Sequence, residues 1–172
     1  KDDKKILLID FDPQGHTTKS LGFQDKSSYD LSMTDVLNSV IQDNPIDISR
    51  LIVHSQEKVD LVPSNISLAG ISNGLESVMC RETILKRFVG TVKDQYDYVI
   101  IDTNPTLGTM QINALTASDS VIIPVQAEPF AVDGMGDLLK GWETPRSAFE
   151  LLKKCSKGMP CDITGVTYEM LE

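Results

Sequence analysis

Residues Tyr96 to Gly108 read YDYVIIDTNPTLG, a β-branched and aromatic run that ends in a carboxylate and is broken at Asn104-Pro105. This pattern predicts a buried strand that delivers Asp102 to its carboxyl end. Open α/β sheets place their chemistry at that edge. A single aspartate at a strand end is just as often a helix cap or a turn former, so its company decides.

Two further runs supply the company. Lys4 to Asp10, KKILLID, also ends in aspartate and turns through Phe11-Asp12-Pro13-Gln14-Gly15, while Ser120 to Gln126, SVIIPVQ, follows the helix-like stretch Met110 to Ala117. Apolar strands alternating with helical segments predict a doubly wound, mostly parallel α/β sheet with helices on both faces. Its strands are expected near Lys5–Ile9, Val59–Val62, Tyr98–Ile101, Val121–Val125 and Ile163–Thr167. Parallel strands present their carboxyl ends together, so Asp10, Asp12 and Asp102 are expected at one edge.

The remaining segments read as scaffold. Tyr29 to Ile41 has helical spacing and ends at Asn44-Pro45, and Ile48 to Val53 leads on through His54. Leu68 to Phe88 reads as one helix weakened at Gly70 and Gly74, and Val132 to Trp142 and Ser147 to Lys154 as later helices. His16, beside the carboxylates, reads as a turn residue, because no serine or cysteine nucleophile is paired with it.

At 172 residues, 41% hydrophobic and 24% charged, the chain is expected to fold as one domain, 1–172. No apolar run is long enough to span a bilayer and no signal-peptide core opens the sequence, which points to a cytoplasmic protein without membrane partners. Cys80, Cys155 and Cys161 form no CxxC pair and are odd in number, so neither zinc nor a disulfide framework is indicated. A net charge of -9 argues against a broad nucleic-acid-binding face, leaving only local basic residues such as Arg81, Lys86 and Arg87.

The segments IDFDPQG, LVPSNISLAG, RETILKRF, QYDYVIIDTNPTLG, INALTASDSVIIPVQAEPFAVDGM and GVTYEM, in this order and spacing, closely resemble the ParA/Soj plasmid and chromosome partitioning ATPases. These form a branch of the deviant Walker A group that includes MinD. The resemblance is strongest from Lys4 to Leu139. It implies a P-loop NTPase-like fold, an ATP-gated dimer that hydrolyses ATP with magnesium, a ParB-like activator and nonspecific DNA as partners. The acidic composition gives that DNA contact no support.

The resemblance also implies individual roles. Asp102 matches the Walker B aspartate that holds the magnesium ion's water shell, and Asp10 closes the neighbouring strand beside the metal. Asp12 matches the switch I aspartate that orients the attacking water. Asn104 and Pro105 fall on switch II, which senses the γ-phosphate. Glu128 lies in the segment that builds part of the nucleotide edge and dimer face, and Met170 near the strand whose following loop meets the base. Phosphoryl transfer needs charge neutralisation and an aligned water more than covalent chemistry, so carboxylates on loops suit these roles.

The sequence departs from the family in one consequential respect. The 172 residues contain no GxxxxGK[ST], and the family's KGGxGKT segment would lie just upstream of Lys1. Cradling amides, phosphate-binding lysines and the magnesium-binding threonine are therefore missing, and this chain alone is expected to bind neither ATP nor magnesium. Asn104 replaces the first proline of the usual Pro-Pro pair, and His16 replaces the usual asparagine after Gln-Gly. Three functional readings follow: a partition ATPase represented by part of its chain, a P-loop-less binding module that meets ParA-like or ParB-like partners, or an inactive relative.

Overall fold

The computed structural model describes residues 4–75, 78–104 and 108–122. The chain divides into two units, Lys1–Ser118 and Asp119–Glu172. Every described element belongs to the first. The expected helices Val132–Trp142 and Ser147–Lys154 and the strand Ile163–Thr167 lie outside the described residues, as do positions 123–125. Val121 and Ile122 are described and are not in a strand.

In chain order the elements are β1 (Ile6–Phe11), α1 (His16–Ser20), α2 (Met33–Ile41), α3 (Ile48–Leu51), β2 (Val53–His54), β3 (Asp60–Val62), α4 (Ser67–Gly74), α5 (Ile84–Val92), β4 (Tyr98–Thr103) and α6 (Thr109–Ala117). The described strands form a four-stranded sheet in the order β2-β3-β1-β4. Strand β1 is central, parallel to β3 on one side and to β4 on the other. Only β2 runs antiparallel, pairing Val53 with Leu61 and His54 with Asp60. The sheet is therefore mixed but mostly parallel.

Alternation along β1 decides where the core forms. Leu7, Ile9 and Phe11 share one face and are essentially fully buried. Met33, Val36 and Leu37 of α2 and Leu85 and Phe88 of α5 join them in one apolar cluster. Burying each such side chain contributes about 1.5–3 kcal/mol, which makes this face the main source of stability. Val99 and Ile101 of β4 pack against the same cluster, whereas Tyr98 and Ile100 are exposed.

Local signals explain the helix boundaries. At the start of α2 the backbone N–H of Ser32 donates to Asp35 Oδ2 at 2.9 Å, one limb of a capping box. Asp47 caps α3 by accepting from Ser49 N at 3.0 Å. This short helix and β2 occupy a stretch whose sequence reads only as a connection, whereas β3 falls within the strand expected at Val59–Val62.

The single helix expected over Leu68–Phe88 is two helices. Helix α4 stops at Gly74, Cys80 takes a left-handed conformation with φ 54°, and a 3-10 turn at Arg81–Thr83 leads into α5. Gly70 and Gly74 weaken the first segment by propensity. The second start is fixed from a distance, because Asn113 Oδ1 of α6 accepts from Leu85 N at 3.1 Å. That side chain also donates to Arg81 O at 2.7 Å and Thr109 O at 2.9 Å.

Candidate functional site

Strands β1 and β4 run in register with Asp10 opposite Asp102 and Phe11 opposite Thr103. Asp12 follows immediately on the last residue of β1. All three carboxylates therefore stand at the carboxyl edge of the sheet, as the parallel reading requires.

The turn after β1 is built around Gly15. Its backbone has φ +62°, and a Cβ there would lie 2.9 Å from the carbonyl oxygen of Ser64, in the loop after β3. Only glycine combines that conformation with that approach. The turn is closed by Gly15 N donating to Asp12 O at 3.0 Å and Gln14 N donating to Asp12 Oδ1 at 2.9 Å. The other Asp12 oxygen has no partner among the described residues.

Asp10 is fully buried, and both of its oxygens are engaged. Oδ2 accepts from Thr18 N at 2.8 Å and from Thr18 Oγ1 at 2.6 Å, and Oδ1 accepts from Asp12 N at 3.2 Å. Burial pushes its carboxyl above the usual range; the bonds from Thr18 and Asp12 oppose the shift, and the charge of Asp102 adds to it. Thr18 Oγ1 in turn accepts from Ser64 N at 2.9 Å, while Ser64 Oγ donates to Asp12 O at 2.8 Å. Asp10 thus anchors α1 and the Asp12 turn to the sheet and to the loop after β3.

Asp102 is half-buried and accepts from Thr17 Oγ1 at 2.5 Å through Oδ2. Its Oδ1 has no partner among the described residues. Thr17, Thr18 and Ser64 were not singled out in the sequence, although each sits two to seven residues beyond a strand end, where short hydroxyl side chains bind backbone and carboxylate groups. Asn104 is partly buried just past β4. Pro105, Glu128 and Met170 lie outside the described residues. His16 is exposed at the start of α1, with no side-chain partner among them.

A magnesium ion prefers oxygen ligands and keeps several waters, so one carboxylate with a free oxygen suits it. Asp102 meets that description better than Asp10, whose oxygens are already committed. Among the described residues no group of three or more His, Cys, Asp or Glu side chains could by itself hold a metal. Lys19, on α1 beside this edge, donates its ammonium to Gln14 O at 2.6 Å.

A mostly parallel sheet with a glycine turn and carboxylates gathered at its carboxyl edge has the fold of the P-loop nucleoside triphosphatases. Comparison with known proteins agrees. The model of a family described as an AAA domain matches residues 1–150. The sporulation initiation inhibitor protein Soj of Bacillus subtilis is 45% identical over 136 residues, 79% of this chain and 52% of that one. The chromosome-partitioning ATPase Soj of Treponema pallidum is 37% identical over 139 residues, 80% of this chain and 51% of that one. Among solved structures, a cobyrinic acid a,c-diamide synthase from Mycobacterium smegmatis with a bound ATP analog and magnesium superimposes with a TM-score of 0.72 at 34% identity. The match covers 88% of this chain and 57% of that one. The chain belongs to the ParA/Soj family of partition ATPases, within the AAA-domain group. It spans about half the length of the curated relatives it matches. Among the described residues no helix is long and apolar enough to cross a membrane.

Proposed function

We propose that these residues form the water-activating and metal-facing part of a ParA-type ATPase for plasmid or chromosome partitioning, working as an ATP-gated dimer with a ParB-like activator. The observation that carries the reading is the register of Asp10 with Asp102, with Asp12 held one residue beyond. In this reading Asp12 is the catalytic carboxylate: its free oxygen accepts a hydrogen bond from the attacking water and holds it in line with the γ-phosphate. Asp102 holds the water shell of magnesium, and Asp10, beside it, keeps the Asp12 turn and α1 in place. When bound, magnesium neutralises phosphate charge. Asn104 and Pro105 form the γ-phosphate-sensing turn, and Glu128 and Met170 contribute to the nucleotide edge.

Carboxylates alone repel a polyphosphate, and the 172 residues include no GxxxxGK[ST]. Uptake of ATP in this reading requires a KGGxGKT segment joined to these residues. A fusion that places a KGGxGKT strand, loop and helix ahead of Lys4 tests it: the fusion should hydrolyse ATP with magnesium, and Asp12→Ala in it should abolish turnover while ATP still binds. Loss of binding with retained turnover per bound nucleotide would assign Asp12 elsewhere. The alternative is a binding module that contacts ParA-like or ParB-like partners without hydrolysis. A fusion that binds ATP but never turns it over, while still pairing with such a partner, would select that reading.

A further inference from the structure

A second concave surface lies at the opposite edge of the sheet, where β1, β3 and β4 begin. It is a groove of about 480 Å³ between the start of β1, helix α3, the β2–β3 hairpin and the turn before β4. Ile6, Ile48, Ile52 and the Tyr96 ring supply its apolar lining, and Lys4, Lys5 and Lys58 its cationic groups, with the His54 ring beside them.

The charges in this groove are not equivalent. Lys4 is spent on Asp97, with Nζ 3.1 Å from Oδ1. Asp60, the one carboxylate lining the groove, accepts from the Tyr96 hydroxyl at 2.8 Å and lies 2.5 Å from His54 Nδ1. Burial, and then the bond to Asp60 and its charge, push the Tyr96 phenol well above its ordinary value, so it stays a donor to that carboxylate. Asp60 also fixes His54, leaving Nε2 outward on a largely exposed ring. The Lys58 ammonium has no ion-pair or hydrogen-bond partner among the described residues, and that of Lys5 acts on Asp97 through its charge without a hydrogen bond. Lys58 is held at the hairpin turn by a left-handed backbone of φ 61°.

In a chain of net charge -9, three lysines against the carboxylates of Asp60 and Asp97 leave this groove locally cationic over its apolar lining. We propose that this groove is a binding site for a small organic anion: a compact apolar body carrying a phosphate or carboxylate, its head on the Lys5 and Lys58 ammonium groups and its body against Ile52 and Tyr96. The volume suits a ligand of that size. The site lies at the far edge from Asp12 and Asp102 and does not rest on the ATPase reading.

Phenyl phosphate and inorganic phosphate, titrated separately into the isotopically labelled full chain and followed by backbone amide shifts, test the proposal. Saturable shifts confined to Lys5, His54, Lys58 and Tyr96 are expected. Phenyl phosphate should bind about tenfold tighter than phosphate, because a ring buried on the apolar lining is worth at least the free energy of a tenfold change. Lys58→Glu should weaken binding about tenfold, whereas Arg87→Glu, the same charge change on the α5 surface where Arg87 pairs with Asp43, should leave it unaltered. No saturable shift at millimolar phenyl phosphate, equal loss in both variants, or shifts centred on Asp12 to Thr18 would overturn the assignment.

Discussion

The Thr17 hydroxyl donates to Asp102 Oδ2 across 85 positions of sequence, tying the first residues of α1 to the end of β4. The Asp12 turn, which runs into α1, is thereby tied to the end of β4. Thr17→Val removes the donor while keeping the shape, and a half-buried carboxylate can recover part of the loss from water. The expected cost is about 1 kcal/mol in urea unfolding, with Thr17→Ser close to wild type. Equal loss in the serine variant would show that the methyl group matters and the hydroxyl does not.

Gly15 and Gly22 both have positive φ, but they face different surroundings. A Cβ at Gly15 meets Ser64 O at 2.9 Å, and one at Gly22 meets nothing within 4 Å. Gly22→Ala should therefore cost only the conformational penalty, about 1 kcal/mol, and Gly15→Ala clearly more. Denaturant midpoints of the two variants measure the difference. Similar losses would mean that the loop after β3 yields easily.

Asn113 is fully buried and makes three hydrogen bonds to backbone groups of α5, the turn before it and its own helix. Asn113→Ala would leave Leu85 N without its acceptor in the interior, at a cost of about 2–4 kcal/mol. Calorimetric unfolding should show the drop. Asn113→Asp would set a carboxylate oxygen against the Arg81 and Thr109 carbonyls in the interior and should cost at least as much. A loss below about 0.5 kcal/mol for the alanine variant would show that water replaces the side chain.

These cases also show how far the sequence could be read. The β1 and β4 strands were legible because four apolar residues in a row end in aspartate and a breaker, and the shared edge of Asp10, Asp12 and Asp102 follows from parallel pairing alone. The break between α4 and α5 was not, because the group that starts α5 is Asn113, 28 residues from Leu85. Thr17, Thr18 and Ser64 were hidden for the same reason. Each hydroxyl acquires its meaning from a carboxylate or carbonyl on another strand end, and no local spacing encodes that. Strand β2 was missed because it is two residues long, too short to show alternation.

Tyr96 is expected to contribute to the alkaline limb of stability. Its phenol ionises less readily in the folded chain than in the unfolded one, for which the ordinary value is 10.0. Its contribution is complete below that value. As pH rises above it, the unfolded chain loses its proton first, so the contribution is lost progressively toward the folded value. Unfolding midpoints measured from about pH 9 to pH 11 should fall, and Tyr96→Phe should flatten that fall while costing about 1 kcal/mol at neutral pH for the lost bond to Asp60. An unchanged slope in the phenylalanine variant would assign the alkaline limb to other groups.

The last prediction concerns the outer face of β4. Among the described strands β4 has a neighbour on one side only, and Tyr98 and Ile100 are 59% and 50% exposed on the face that alternates with Val99 and Ile101. An apolar strand with an open hydrogen-bonding side is a template for pairing with another chain. The isolated 172-residue chain should therefore associate as its concentration rises. Ile100→Lys, which places a charge on the exposed face, should suppress that association and leave the unfolding midpoint within about 0.5 kcal/mol of wild type. Ile101→Lys, one residue on, drives an ammonium into the cluster around Leu7 and Phe88 and should unfold the chain or cost more than about 3 kcal/mol. Light scattering across a concentration series and urea melts separate the two effects. A lysine at position 100 that destabilises as much as one at position 101 would mean that this face is packed in solution and that β4 is not an open edge.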